Sequence, residues 1–265
     1  MPSLVNCRCI LVVGATAGIG RALTRSLYAL PSKPTVIGAG RRKERLDELV
    51  DWGKKQGDTR LKALQLDISA DRQALISSVD QYLEKYPDTD AVIFSSGIQH
   101  SVDFSNNEAI DLDDVAAEWT TNYTSIFTMV SKAFLPHFRK IEKQGRPSFI
   151  VPISSGLAIR PTSSVTNYCA TKAALHSLCM SLQQSLRGTN IHTIEIMPPL
   201  VESELHDQQG TTERLSKFWM SLDDFTSAVM DDFGKLDGSG FIAIGSAKDA
   251  FDRFEKGKAD FDSTV

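Results

Sequence analysis

Cysteine is scarce in this chain: only Cys7, Cys9, Cys169 and Cys179 occur in 265 residues, with no second cluster at metal-ligand spacing. That excludes a disulfide-stapled scaffold and gives no reason to expect a metal; the four read as free core thiols of a reducing compartment. Also absent is any run of about 18 apolar residues, so no membrane partner is expected. The opening MPSLVNCRCILVV lacks the basic region and small-residue cleavage site of a secretory signal, and a cytoplasmic location is expected. Neither charge sign dominates, with 29 basic against 33 acidic residues and a net charge of -4. The basic residues are scattered among acids, which removes the footprint of a nucleic-acid binder and leaves a small molecule as the expected partner. No linker, repeat or low-complexity tract divides the chain, so residues 1–265 read as a single domain.

What is present is alternation. Apolar runs of strand length, CILVVGA, PTVIGAG, KALQLDI, DAVIFSSG, SFIVPIS and HTIEIMP, recur between helical patterns such as IGRALTRSLYAL. In that helix Ile19, Ala22, Leu23, Leu27 and Leu30 share helical spacing. Strands apolar on both faces and alternating with helices predict an α/β fold, a doubly wound parallel sheet with helices on both faces. Ligands of such sheets sit outside the carboxyl ends of the strands. The irregular stretch 202–222, ESELHDQQGTTERLSKFWMSL, is placed to cover that crevice as a lid, with Leu205, Leu215, Phe218, Trp219 and Met220 as its apolar surface.

The first strand runs into VGATAGIGRAL, with Gly14, Gly18 and Gly20 in G-x-x-x-G-x-G spacing. Glycines allow the tight turn and close backbone approach, and the following helix offers free N–H groups to a pyrophosphate. The second strand ends GAGRRKERLDEL, so Gly40 stands where an NAD-selective protein offers a carboxylate, and Arg41 and Arg42 follow. Guanidinium groups suit a ribose 2′-phosphate, and NADP(H) is the expected cofactor.

From these residues onward the chain resembles the short-chain dehydrogenase/reductase family, in its single-domain, NADP-preferring form. The resemblance runs in order through the Gly14 turn, Asp67 in LDIS, the Gly97 turn, Asn122, Ser155, and the pair Tyr168 and Lys172, with Tyr168 thirteen residues after Ser155. Residues four apart on a helix share a face, so Lys172 is placed to favour the Tyr168 phenolate. The resemblance implies Tyr168 as acid–base, Ser155 as hydrogen-bond donor to the substrate oxygen, Lys172 on the nicotinamide ribose, and Asn122 holding a relay water. It also implies cofactor contacts for Thr16, Ala17, Gly18, Ile19 and Gly20 around the phosphates and ribose. Asp67 and Ile68 would meet the adenine, Ser95 and Gly97 would border the cofactor, and Val201 and Ser203 would meet the nicotinamide end. Homodimers or homotetramers, formed through the helices carrying Asn122 and Tyr168, are implied as well.

Two places depart from the family pattern. FSSG (Phe94 to Gly97) replaces the usual Asn-Asn-Ala-Gly, and Pro198-Pro199 replaces Pro-Gly, with Ser203 in place of the usual threonine. A second proline removes backbone freedom and an N–H, so the loop over the nicotinamide is expected to run differently. His100, just past the fourth strand, is a candidate for the mouth of the site, and Cys169 reads as packing. The leading expectation is reduction of a ketone, diketone or aldehyde. Imine or enone reduction, and a sensor or scaffold that binds NADP(H) without turnover, are the alternatives.

Overall fold

β1 (Cys9–Val13) is buried along its whole length because its residues feed two cores. Ile10 and Val12 pack on one face of the sheet, Leu11 and Val13 on the other. Strand side chains alternate between faces, so a strand apolar at every position needs cover on both sides. In the computed structural model, which describes residues 2–102, 104, 110–210 and 212–258 apart from the side chains of 206, 208 and 209, that cover is helical.

In chain order the elements after β1 are α1 (Gly18–Tyr28), β2 (Thr35–Gly40), α2 (Lys43–Lys55), β3 (Leu61–Gln65), α3 (Arg72–Lys85) and β4 (Thr89–Phe94). There follow α4 (Leu112–Trp119), α5 (Ser125–Met129), α6 (Leu135–Glu142), β5 (Ser148–Pro152), α7 (Thr166–Ser185) and β6 (Ile191–Met197). The chain closes with α8 (Thr212–Leu215), α9 (Leu222–Lys235), β7 (Gly240–Ala243) and α10 (Ser246–Phe254). All strand pairings are parallel, in the order β3-β2-β1-β4-β5-β6-β7. This is the doubly wound, Rossmann-type single-domain sheet that the alternation predicts, extended by one edge strand, β7.

Leu23 and Leu27 of α1, Leu49 of α2, and Phe225, Val229 and Phe233 of α9 fill the core with Ile10 and Val12. Leu75 and Val79 of α3, Ile126 of α5, Phe138 of α6 and Leu175 of α7 fill the other with Leu11 and Val13. Side-chain caps mark several starts: Asp71 accepts from the Gln73 and Ala74 amides at 2.9 and 3.3 Å, and Ser221 from the Asp224 amide at 3.1 Å. Two π-helical turns, Thr120–Thr124 and Val130–Phe134, link α4, α5 and α6 end to end. The strand order reverses between β1 and β4, so the crevice beyond their carboxyl ends is the place for a ligand.

Candidate active site

A cleft of about 1100 Å³ opens at that reversal, lined by the Gly14 turn, the ends of β4 and β5, the start of α7 and the segment after β6. Gly14 has φ +92°, and a Cβ on it would lie 2.5 Å from the Ser96 amide nitrogen; a Cβ on Gly20 would lie 2.3 Å from the Gly14 carbonyl oxygen. Side chains are thereby kept out of the turn. The residue before α1, Ala17, supplies no side-chain cap, so the helix N-terminal amides remain available to an anion. The Ser96 hydroxyl lines the same cleft, buried and without a hydrogen-bond partner among the described residues. An uncapped helix start, a glycine cradle and an unsatisfied hydroxyl together fit a dinucleotide pyrophosphate. Thr16, Ala17, Gly18 and Ile19 line this part, and Ser203 closes it from above, its Cβ 3.3 Å from where a Gly18 Cβ would lie. Ser95 packs against Gly20, and its amide bonds to the Val13 carbonyl at 2.8 Å, joining β4 to β1 without the usual asparagine.

At the outer end Arg42 donates to Thr16 Oγ1 from Nε at 3.0 Å and from a terminal nitrogen at 2.7 Å. It also pairs with Glu204 at 3.1 Å, and Arg45 grips the same carboxylate at 2.5 Å. The Arg41 side chain is exposed beside them. Arg45 and Glu204 escaped the sequence reading. Arg45 follows Arg42 by three residues on the first turn of α2, a spacing that could have found it, whereas Glu204 reaches Arg42 from 162 residues away.

The inner wall brings together the candidate catalytic residues. Tyr168 and Lys172, both buried, begin α7, with the Lys172 nitrogen 5.5 Å from the centre of the Tyr168 ring. Lys172 donates to the Ile153 carbonyl at 2.8 Å. Ser155 ends the strand region beside the Tyr168 phenol, where its hydroxyl favours the ionised ring. The Ser155 oxygen accepts from the Leu157 amide at 3.1 Å, which leaves its own proton to give. Asn122 sits in the first π turn, fully buried, a geometry common where helices carry functional groups. Its side chain accepts from the Ile98 amide and donates to the Ile98 carbonyl, both at 2.9 Å, and donates to Thr171 at 3.1 Å. A Cβ on Gly97 would lie 3.5 Å from Asn122 Oδ1 and 3.6 Å from Lys172 Nζ, so Gly97 keeps the gap between them open.

Burial drives Lys172 down to about 8, against a partial upward pull from Glu195. Burial likewise raises the Tyr168 phenol well above its ordinary range, only partly opposed by the Ser155 hydrogen bond. The expectation that Lys172 favours the Tyr168 phenolate is not met in the protein by itself, where burial of the ring is the largest influence and holds the phenol protonated.

Other expectations need adjusting. Asp67 does not line the cleft; its Oδ1 accepts from the Ser69 amide at 3.0 Å and the Ser69 hydroxyl at 2.8 Å, while Ile68 and Ser69 face the cavity. His100 turns away from the cleft toward Asp114 and Glu118, at 3.5 and 3.3 Å. Buried Glu118 also accepts from Asn167 at 2.6 Å, a clamp between α4 and the start of α7 absent from the sequence reading. In the covering segment Val201 lines the cleft and bridges to Met220, and Leu205 and Leu215 face inward, but Phe218 is 77% exposed. Residue 211 and the side chains of 206, 208 and 209 lie outside the described residues.

Sheet order, crevice and the Ser155, Tyr168, Lys172 set define a doubly wound α/β protein built around a dinucleotide-sized cleft with a tyrosine at its inner wall. The short chain dehydrogenase family matches residues 8–214, and the chain belongs to that family of oxidoreductases. It is 33% identical over 212 residues to an uncharacterized oxidoreductase of Bacillus subtilis, DltE, covering 77% of each chain. An NADP-dependent 3-hydroxy acid dehydrogenase of Schizosaccharomyces pombe is 28% identical over 204 residues, 76% of this chain and 74% of that one. A solved serine dehydrogenase in its closed form, complexed with NADP+, superposes with a TM-score of 0.74 at 25% identity, covering 88% of this chain and 93% of that one. Among the described residues no helix is long and apolar enough to cross a membrane.

Proposed function

We propose that this protein is an NADP(H)-dependent oxidoreductase that reduces a ketone, diketone or aldehyde to the alcohol, with carboxylate-bearing carbonyl compounds among its substrates. The observation that carries the reading is the meeting of Ser155, Tyr168 and Lys172 on one wall of a cleft whose other end bears a glycine turn and arginines. Names of the relatives, NADP-dependent and acting on hydroxy acids, support the cofactor and the substrate class. So do Arg160 and Arg214, which line the cleft and form no ion pair among the described residues.

When bound, the nicotinamide supplies the hydride. Tyr168 donates its proton to the substrate oxygen as charge develops there, and Ser155 donates a hydrogen bond to the same oxygen. Lys172, held by the Ile153 carbonyl, offsets the phenolate that Tyr168 becomes. Leu205 and Leu215 contribute an apolar surface from the 202–222 segment, which acts as the lid. Trp119, Tyr123 and Phe127 form a row of contacting rings, edge-to-face and tilted, with successive centroids 6.1 Å apart, and Trp119 and Phe127 are 37% and 47% exposed. We assign that stripe to contact with a second copy in a homodimer or homotetramer. Four buried free thiols support a cytoplasmic setting.

NADPH oxidation measured against ketones, diketones, quinones, aldehydes and 3-oxo acids tests the reading. Turnover is expected, with the oxo acids preferred. Tight NADPH binding without turnover on any of them would leave a sensor.

A further inference from the structure

Beneath the catalytic wall lies a group of buried charges that the reaction above does not use. Glu195 of β6 is fully buried. One of its oxygens accepts from the Ser154 hydroxyl, and the other pairs with Nδ1 of His176 at 2.8 Å. The far nitrogen of His176 lies 3.4 Å from Glu255, which Lys258 meets from the solvent side at 2.7 Å. A fully buried carboxylate carries a desolvation cost of several kcal/mol in general, so a paired one next to reacting groups invites a functional explanation.

We propose that Glu195 is a positioning residue for the carbonyl reduction: one carboxylate fixes the strand end bearing Ser155 against the helix bearing Lys172 and supplies the counter-charge beneath that lysine. The inference rests on the catalytic reading of Ser155, Tyr168 and Lys172. Ser154 directly precedes Ser155, and His176 follows Lys172 by one helical turn, so the two contacts of Glu195 reach both halves of the catalytic set. Ile153, whose carbonyl holds Lys172, bridges to Ile196, the neighbour of Glu195. Three elements, the end of β5, the start of α7 and β6, therefore meet at this carboxylate.

The charges add direction. Glu195 favours the charged form of Lys172, opposing burial. His176 is itself drawn toward its protonated form by Glu195 and Glu255, although burial opposes this. The other titratable group facing the cluster is the Cys179 thiol, held neutral by burial and by Glu195; Tyr168, beside Lys172, is faced by Cys169 and by Glu118 from α4. Reduction needs a protonated Tyr168 with a charged Lys172, so its rate falls as pH rises through the Lys172 titration. Removing the Glu195 charge moves that fall to lower pH.

Glu195→Gln keeps the shape and an acceptor for Ser154 while removing the charge. The pH profile of kcat for NADPH-dependent carbonyl reduction is expected to lose its alkaline limb at a pH at least ~0.5 units lower than in the unmutated protein, with KM changed less than about three-fold. A superimposable kcat profile would overturn the proposal, whatever happens to thermal stability. Should that variant not fold, His176→Gln strips Glu195 of its cationic partner while leaving the carboxylate, so the limb is expected to move to higher pH; an unmoved or lowered limb overturns the role. NADPH affinity followed against pH needs no turnover, so it reads Lys172 even if no carbonyl substrate is reduced. A pH dependence shifted in Glu195→Gln then supports the inference while the carbonyl reading fails, and an unshifted one overturns it.

Discussion

Arg42 holds Thr16 Oγ1 with two hydrogen bonds, at 3.0 and 2.7 Å, and extends a third nitrogen to Glu204 at 3.1 Å. The guanidinium that borders the cofactor cleft is thus already oriented, and the Glu204 carboxylate occupies the nitrogen that Thr16 leaves free. NADPH is expected to bind more tightly than NADH. Arg42→Ala should remove most of the difference, a loss of about ten-fold or more, since a hydrogen bond to a charged group is worth roughly 1.5–3 kcal/mol. Arg41→Ala should also weaken NADPH, by less than Arg42→Ala, because Arg41 stands exposed and lacks the Thr16 anchor. Glu204→Gln should tighten NADPH several-fold and leave NADH unchanged. Fluorescence titration with both cofactors decides, and equal affinities in the unmutated protein would refute the NADP assignment.

Tyr168→Phe keeps the ring that packs with Val165 and Cys169 while deleting the phenolic proton proposed to pass to the carbonyl oxygen. NADPH affinity should stay within a few-fold. Carbonyl reduction should fall by ~10² or more, the usual scale of general acid catalysis. Single-turnover NADPH oxidation separates the two effects, and undiminished reduction in the variant would assign the acid elsewhere.

The central strands and the meeting of Ser155, Tyr168 and Lys172 were legible in the sequence for related reasons. β1, β2, β4, β5 and β6 are apolar runs, and Ser155, Tyr168 and Lys172 stand in a fixed order along the chain. β7 was not legible, because its four residues begin with Gly240 and hold together by pairing with Ile194 to Met197 of β6. Nor was the π turn at Asn122, since a local widening of the helix leaves no mark in apolar spacing. His100 looked available for substrate until Asp114 and Glu118 came round to meet it. Glu204 and Glu195 find their partners only when distant segments fold together, so their chemistry could not be read from neighbours in sequence.

Gly14 is the most demanding position of the cofactor turn. Its φ of +92° disfavours any side chain, and the Ser95–Ser96 backbone passes where a Cβ would point. Gly14→Ala should destabilise the protein by about 1–3 kcal/mol through that strain and weaken NADPH together with NADH, because both cofactors share the pyrophosphate. Urea unfolding and cofactor titration check the two halves. A loss confined to NADPH would place the fault at the 2′-phosphate end instead.

Lys172 should be costly to the fold in the absence of cofactor. Burial lowers it to about 8, whereas an unfolded lysine titrates near ~10.4. The folded form therefore binds fewer protons than the unfolded chain between those values, and stability rises with pH across that window. Below about pH 8 the penalty is fully present, on the order of 3 kcal/mol, and it fades as pH passes ~10.4. Lys172→Met, which keeps the length and apolar stem while giving up the bond to Ile153, should raise the melting temperature at pH 7 by several degrees and abolish carbonyl reduction. At pH 9.5 the gain should shrink by more than half. Thermal melts of the cofactor-free proteins at both pH values measure this, and a gain that is absent at pH 7 or equal at both would show that the charge on Lys172 is compensated in the fold.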